Sequence, residues 1–507
     1  MFIAPKSADK GGAFSILDSG LFGEIVGKDS KSIGFMTGFS FLDIPTAYSD
    51  TDGNNMALLP NGGFFPRVYT VIGESETGKT TAMIQAGGAI ADSCWGATYV
   101  HIDAESNTTP ERIMSLNRWD EATFKQKCMY VPPSPPKTIN DVLDLIRRIS
   151  HAKAAKGDKI KLKTPYRDMY TGKFIEVYPP TFMLLDSLPA LVISQSLDNA
   201  VDGKKDFKSM EQIGSNVDGM REARDNTVFL RSVKSYLDEY NIIFVQINHV
   251  SKDVQMGMFD RPKKYHPGLK AGEKLSGGKE QVFQSFGLMR ISQKEHIDDF
   301  NPKYGDKIRG YVCSLDHVKN KSNVSSNEYR YVFDKRTGFR PELTDFEYLY
   351  ELKKDFITGS PASLACAILP EARFTRKNLV DKCGENPMLS RAMSYLSKYY
   401  MGNDMVIHNK FGEIDINGFA NLPLEERYSI FASMTHPYPR FGLRKFGQEG
   451  MRPYQQIAAV GDVYTGLGNG YRNPVNVDTV QRIIHNHKRG LMYAKGCKYD
   501  PVTGTSL

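Results

Sequence analysis

The segment Gly73-Glu74-Ser75-Glu76-Thr77-Gly78-Lys79-Thr80 constrains this chain more than any other stretch. Its spacing, GxxxxGK[ST], is that of a loop whose backbone amides wrap an anion, and such a loop needs a strand before it and a helix after it. Both are written into the flanks: the apolar run 68–72 reads as a buried strand, and 81–91 reads as a helix. Lys79 would place a positive charge on the outer phosphates and Thr80 a hydroxyl on Mg²⁺, with Glu74, Ser75, Glu76, Thr77 and Thr81 completing the phosphate-binding stretch.

Around that loop, from about 34 to 345, short β-rich runs alternate with helical patterns, as repeated βαβ units around a largely parallel sheet require. Strands are expected at 68–73, 97–102, 181–185, 242–247, 287–291 and 309–315. One helix is expected over 228–240, with Val228, Phe229, Val233, Tyr236, Leu237 and Tyr240 on its apolar face. The strand at 97–102 runs into Asp103 and Glu105, and that at 181–185 ends on Asp186. Strand ends in a parallel sheet face one crevice, so Lys79, Glu105 and Asp186 can meet there. A cradle, a metal carboxylate and a water-orienting carboxylate are what phosphoryl transfer needs. Taken singly, Glu105 or Asp186 fits a helix cap or a surface acid as well.

With 507 residues the chain exceeds one core and predicts two to four domains. Its 40% hydrophobic and 24% charged residues exclude a disordered or fibrous chain. A net charge of +7 is too small for this length to name an anionic partner by itself. The six cysteines are scattered without zinc spacing, which fits a reduced, intracellular compartment. No secretory signal is visible and no apolar run approaches the roughly 20 residues of a membrane span, so a soluble protein with no membrane partner is expected. Residues 1–33 read as an arm with an apolar docking patch, 34–350 as the core with a basic insertion at about 151–180, and 351–507 as a C-terminal α+β extension. That extension shows helical patterns at 377–383 and 389–400 and a short strand at 405–408. Its tail, 430–507, holds ten Lys or Arg against four Asp or Glu, which suits nucleic acid or simply a solvated surface.

The phosphate loop, GFMTGFSFLD at 34–43, DAE at 103–105, LLDSLPAL at 184–191 and VQINHV at 245–250 together resemble the RecA-type recombinases, in detail their phage UvsX-like branch, over roughly residues 34–350. The resemblance implies a RecA-like P-loop ATPase core with an N-terminal oligomerisation arm, and ATP and Mg²⁺ as ligands. It implies that Glu105 polarises the attacking water, that Asp186 supports Mg²⁺, and that His249, beside Asn248, senses the γ-phosphate; many relatives carry Gln where His249 stands. Lys319 and Lys321 match two lysines that reach the nucleotide of a neighbouring subunit, although alternate lysines also mark a solvated edge strand. Two loops would hold DNA. The first offers Arg221 and Arg224; the second, 251–278, offers Lys252, Arg261, Lys263 and Lys264, the apolar tips Met256, Met258 and Phe259, and the closing pair Gly277 and Gly278. Phe283 matches an aromatic linking that loop to the neighbour's ATP, and fits core packing of a helix equally.

The activity implied is a DNA-dependent ATPase that forms filaments on single-stranded DNA and promotes pairing and strand exchange. Partners implied are single- and double-stranded DNA, further copies of the chain in a helical homo-oligomer, and single-strand-binding and loader proteins, in the cytoplasm or nucleoid of a bacterial cell, phage-infected or not. Two other readings share the core: a hexameric helicase-like motor, and a mediator that binds ATP without turning it over.

Overall fold

The computed structural model describes residues 34–427 apart from 46–62, 168–173, 192–215, 253–268, 298–302, 405–415 and isolated positions; 1–33 and 428–507 also fall outside the described residues. The expected N-terminal arm, the basic tail, the strand at 405–408 and the loop residues Met256, Met258, Phe259, Arg261, Lys263 and Lys264 therefore lie outside them.

Val68–Gly73 (β1, VYTVIG) and Thr181–Asp186 (β6, TFMLLD) are buried at every position, as strands covered on both faces must be. β1 lies mid-sheet, with Ile242–Lys252 (β7) and Gly287–His296 (β9) parallel on either side. Beyond β7, β6, Thr98–Asp103 (β2) and Cys128–Val131 (β3) continue parallel. Beyond β9, Gly310–Asn320 (β10), Glu328–Asp334 (β11) and Gly338–Phe339 (β12) run antiparallel. The fold is thus α/β around a mostly parallel, mixed central sheet. The short strand Glu273–Leu275 (β8) folds back antiparallel on the end of β7.

Parallel neighbours need crossovers, and helices on both faces supply them. Alternate strand residues point to opposite faces. Tyr69, Val71, Tyr99, Phe182, Leu184, Ile243 and Val245 pack with Ala82, Met83, Ala86 and Ile90 of Lys79–Ser93 (α1). Val100, Ile102, Met183, Leu185, Ile242 and Phe244 pack instead with Val142 and Ile146 of Ile139–Lys156 (α3) and with Phe229, Leu230, Val233 and Leu237. Pro110–Asn117 (α2) precedes α3.

Three expectations need correction. The helix over 228–240 is two helices, Asn216–Ser232 (α4) and Lys234–Tyr240 (α5), broken at Val233. Val228, assigned to the apolar face, is 56% exposed. Strands β9 and β10 run to His296 and Asn320, well past 291 and 315, because they pair antiparallel with each other along polar sequence that period-two apolar alternation does not mark. In the expected insertion, α3 extends to Lys156, and only Leu162–Arg167 (β4) and Phe174–Val177 (β5) form a separate two-stranded unit.

After Pro341–Glu351 (α7) come a three-stranded antiparallel sheet, Ile357–Ser360, Ser363–Cys366 and Leu369–Phe374 (β13 to β15), and two helices, Leu379–Glu385 (α8) and Pro387–Asp404 (α9). One apolar cluster joins Ile297, Ile308, Val332, Leu343 and Phe346 to Leu364, Ile368, Leu379, Leu389 and Leu396, so packing is continuous across residue 350. Among the described residues no helix is long and apolar enough to cross a membrane.

Candidate functional site

β1 delivers the chain to Gly73, where a Cβ would lie 2.3 Å from the carbonyl oxygen of Ile291 on β9; only glycine allows that approach. Gly78, at φ +84°, turns the loop into α1 in a conformation that side chains resist. The Lys79 ammonium is buried inside the loop, donating to Gly73 O at 3.1 Å and Glu74 O at 2.5 Å. Burial lowers its pKa, against the attraction of Asp186, Glu105 and Glu74.

Register brings the other groups to the same edge, because Gly73 pairs with His249 and Asp103 with Asp186. Thr80 Oγ1 donates to Asp186 Oδ2 at 2.8 Å. Asp186 is almost fully buried, and this desolvation pushes its carboxyl up to about 6; the Thr80 hydrogen bond acts against it, while Glu105 and Asp103 add to it. Asp103 itself is a fastener: it accepts from the amides of Asn107 at 3.2 Å and Thr108 at 3.3 Å and from the Tyr130 hydroxyl at 3.0 Å, holding the turn that presents Glu105. Glu105 accepts from three neighbours: the Ser187 hydroxyl, His249 Nε2 at 2.9 Å and Asn107 Nδ2 at 2.7 Å. Partial burial raises the Glu105 carboxyl, but the bonds from Ser187 and His249 outweigh it and leave the pKa lowered, so Glu105 is held as a carboxylate.

These residues line a cavity of ≈ 550 Å³ that includes Ser75, Glu76, Thr77, Gly78, Lys79, Thr80, Thr81, Glu105, Asp186 and His249. Sequence reasoning missed its far end. Arg112, Asn107, Tyr311, Phe333 and Lys335 line it too. Arg112 is pinned there by the carbonyl oxygens of Arg336 and Lys335, each 3.2 Å away, and the Lys335 ammonium sits 5.0 Å from the centre of the Tyr311 ring. No local motif marks these side chains; β10 and β11 bring Tyr311, Phe333 and Lys335 from more than 200 positions away in sequence, while Asn107 and Arg112 follow β2, Arg112 on α2. Ser187 was equally silent, though it adjoins Asp186.

Other expected residues lie elsewhere. Lys319 and Lys321 are outside the cavity: the Lys319 ammonium donates to Val282 O at 2.6 Å and Phe283 O at 2.8 Å, on the short helix Glu280–Gln284 (α6). Phe283 is 58% exposed, so core packing does not account for it. Arg221 and Arg224 lie on α4 rather than in a loop, since α4 starts at Asn216; Arg224 is exposed. Lys252 is the last residue of β7. Gly277 and Gly278 both take positive φ, and a Cβ on Gly278 would meet Ala223 of α4 at 2.8 Å. Their end of the loop is tied to the cavity wall. Asn248 donates to Ser276 O at 2.9 Å and to Gln281 Oε1 at 2.6 Å, while Asn226 donates to Gly277 O at 3.3 Å.

Among the described residues no three His, Cys, Asp or Glu side chains cluster as a metal cage. A Mg²⁺ held mainly by phosphate and water needs only one or two protein oxygens. Thr80 Oγ1 and Asp186 Oδ2, already in contact, are a donor set of that kind. No protein-family model matches the chain, and no curated protein matches it.

Proposed function

We propose that the chain hydrolyses ATP at this cavity, as part of a RecA-type assembly that forms on single-stranded DNA and pairs it with homologous duplex. The observation that carries the reading is the meeting of Lys79, Thr80, Glu105, Asp186 and His249, from four strand ends, around one cavity.

In this reading the loop amides and Lys79 hold the triphosphate, Lys79 exchanging the carbonyls of Gly73 and Glu74 for phosphate oxygens. Thr80 and Asp186 hold Mg²⁺, which when bound neutralises phosphate charge. Glu105 accepts a proton from water as the water oxygen bonds to the terminal phosphorus and the bond to the departing ADP oxygen breaks. Both Glu105 oxygens are engaged by side chains here, so one of those contacts must yield to the water. Arg112, Tyr311 and Lys335 offer a guanidinium, a ring and an ammonium to a nucleobase.

Assembly enters through Lys319. Register sets Lys319 opposite Leu288 and Asn320 opposite Gly287, where β9 begins, whereas Gly73 ends β1 at the cavity. Gly287 pairs with Tyr69, so four residues of β1, about 13 Å, separate that level from Gly73. Lys319, held on α6, and Lys321 lie outside the cavity, and in this reading they serve the nucleotide of another copy, in a head-to-tail arrangement that extends rather than closes. Lys252 at the end of β7 and the loop residues Arg261, Lys263 and Lys264 grip DNA phosphates, and the closing glycines take their cue from Asn248 beside His249.

ATP turnover measured with and without single-stranded DNA tests the reading. A large stimulation is expected. No turnover under either condition, or turnover untouched by Glu105→Gln, ends the catalytic claim.

A further inference from the structure

The crest of the phosphate loop carries two exposed carboxylates, Glu74 and Glu76. That placement works against the loop's own ligand, since Glu76 lines the cavity where a triphosphate would add further negative charge and Glu74 stands two residues before it on the same loop. Glu105 and Asp186 deepen the same negative field from the cavity wall. Among the described residues neither Glu74 nor Glu76 has an ion-pair partner, although Glu74 attracts the buried Lys79.

The surface around α6 has the converse excess. Arg231 at the end of α4, Lys234 at the start of α5, and Lys319 and Lys321 from β10 and its exit crowd around α6. Lys234 contacts Gln284, Lys319 caps the carbonyls of Val282 and Phe283, and Lys321 N donates to Phe286 O at 3.1 Å. Among the described residues Glu280 answers this group, 3.6 Å from Arg231. The crowding is felt: burial and then Lys321 and Lys234 push the Lys319 ammonium down to about 8, and Lys234 is lowered by burial, Lys321 and Arg231. Exposed Val228 and Phe283 stand beside these cations. An acidic crest on the phosphate loop and a basic, partly apolar face around α6 are complementary surfaces on a single chain, with no ion pair between them among the described residues, and two such surfaces can meet between copies.

We propose that the phosphate-loop carboxylates Glu74 and Glu76 of one copy are received by the exposed cations Arg231 and Lys234 of the next, with Lys319 and Lys321 reaching past them to the triphosphate. The pairing rests on the ATP-binding reading above and extends it. Glu76 with Lys234 and Glu74 with Arg231 form an outer ring of ion pairs that seals the cavity mouth and offsets the carboxylates exactly when a nucleotide needs the loop. Bound triphosphate adds charge of the same sign to the crest, so occupancy strengthens the grip of the neighbouring copy.

Charge exchange tests this. Assembly of the full chain is followed by sedimentation velocity with Mg²⁺ and a non-hydrolysable ATP analogue, and binding of a fluorescent ATP analogue is measured at concentrations below assembly. Glu76→Lys and Lys234→Glu should each weaken assembly by about tenfold or more, and the double variant should recover most of that loss. The pair Glu74→Arg and Arg231→Glu provides a second cycle where one of the first variants folds poorly. A double variant no better than the weaker single, in both cycles, overturns the proposed pairing. A parent protein that binds the nucleotide and stays monomeric overturns it as well while leaving the single-chain nucleotide site intact; a parent that binds no nucleotide takes down both.

Discussion

At the scale of single residues, the cavity is a set of groups parked on substitutes for a ligand. Lys79 is held by loop carbonyls, Thr80 by Asp186, and Glu105 by Ser187, His249 and Asn107. On the proposed reading these groups are already oriented, and ligand binding would exchange their partners. Glu105→Gln keeps the shape and loses the basicity. Its expected effect is a fall in ATP turnover of about a hundredfold or more, measured by phosphate release, with binding of a fluorescent ATP analogue retained. Equal turnover in parent and variant would remove Glu105 from the chemistry. Gly73 makes a different prediction, because the obstacle there is backbone. A methyl group at 2.3 Å from Ile291 O must push β1 and β9 apart, so Gly73→Ala should cost about 1–3 kcal/mol in urea unfolding. An unchanged midpoint would show that the loop relaxes without strain.

At the scale of elements, α6 has an unusual attachment. Gln281 and Ser285, both fully buried, fasten it to the sheet by polar contacts, Gln281 with Asn248 at 2.6 Å and Ser285 with Thr70 at 2.7 Å. Its carbonyl end takes Lys319, and Gln281 also reaches Ser276 O beside the paired glycines. A short helix held by hydrogen bonds can exchange partners in a way that interlocked apolar side chains cannot. Gln281→Leu leaves Asn248 with an unmet donor, costs about 1–3 kcal/mol of stability, and should drive the ratio of DNA-stimulated to basal turnover toward one. A variant that keeps the ratio of the parent would sever α6 from the coupling. Sequence alone made the parallel strands and the phosphate loop visible, since both carry local signals: apolar runs of strand length, and fixed glycine spacing. What it could not show depends on pairing. Tyr311 and Lys335 reach the cavity only through the antiparallel extension β10 to β11, whose polar outer positions carry no period; Arg112, on α2, is held there by the carbonyls of Lys335 and Arg336; and the role of Ser187 appears only when Asp103 and Asp186 fall into register.

At the scale of the whole molecule, the sheet's central position makes its buried histidines sensitive to acid. His101 on β2 is fully buried with Nδ1 2.6 Å from the Tyr99 hydroxyl and Nε2 without a hydrogen-bond partner, and burial pushes its pKa down to about 4 despite Asp103. His317 on β10, with Nε2 3.3 Å from Phe41 O, is likewise lowered to about 4 by burial. Both are neutral in the fold and take a proton near 6.5 once unfolded, so between those values the unfolded chain binds more protons. Stability is therefore flat with respect to these groups above about pH 6.5 and is lost as pH falls toward 4, by roughly 3 kcal/mol for each histidine over the full window. Asp186 acts in the opposite sense in the metal-free protein, because its raised carboxyl is protonated in the fold before the unfolded chain follows; one carboxyl offsets only part of two histidines. Urea midpoints should fall between pH 7 and pH 5, and His317→Gln, which removes one titrating ring while Asp186 still acts in the opposite sense, should shrink that fall by more than half even if it lowers the midpoint at pH 7. A variant whose midpoint drops with pH as steeply as that of the parent would mean that other groups govern the acid limb and that the ring beside Phe41 titrates freely in the fold.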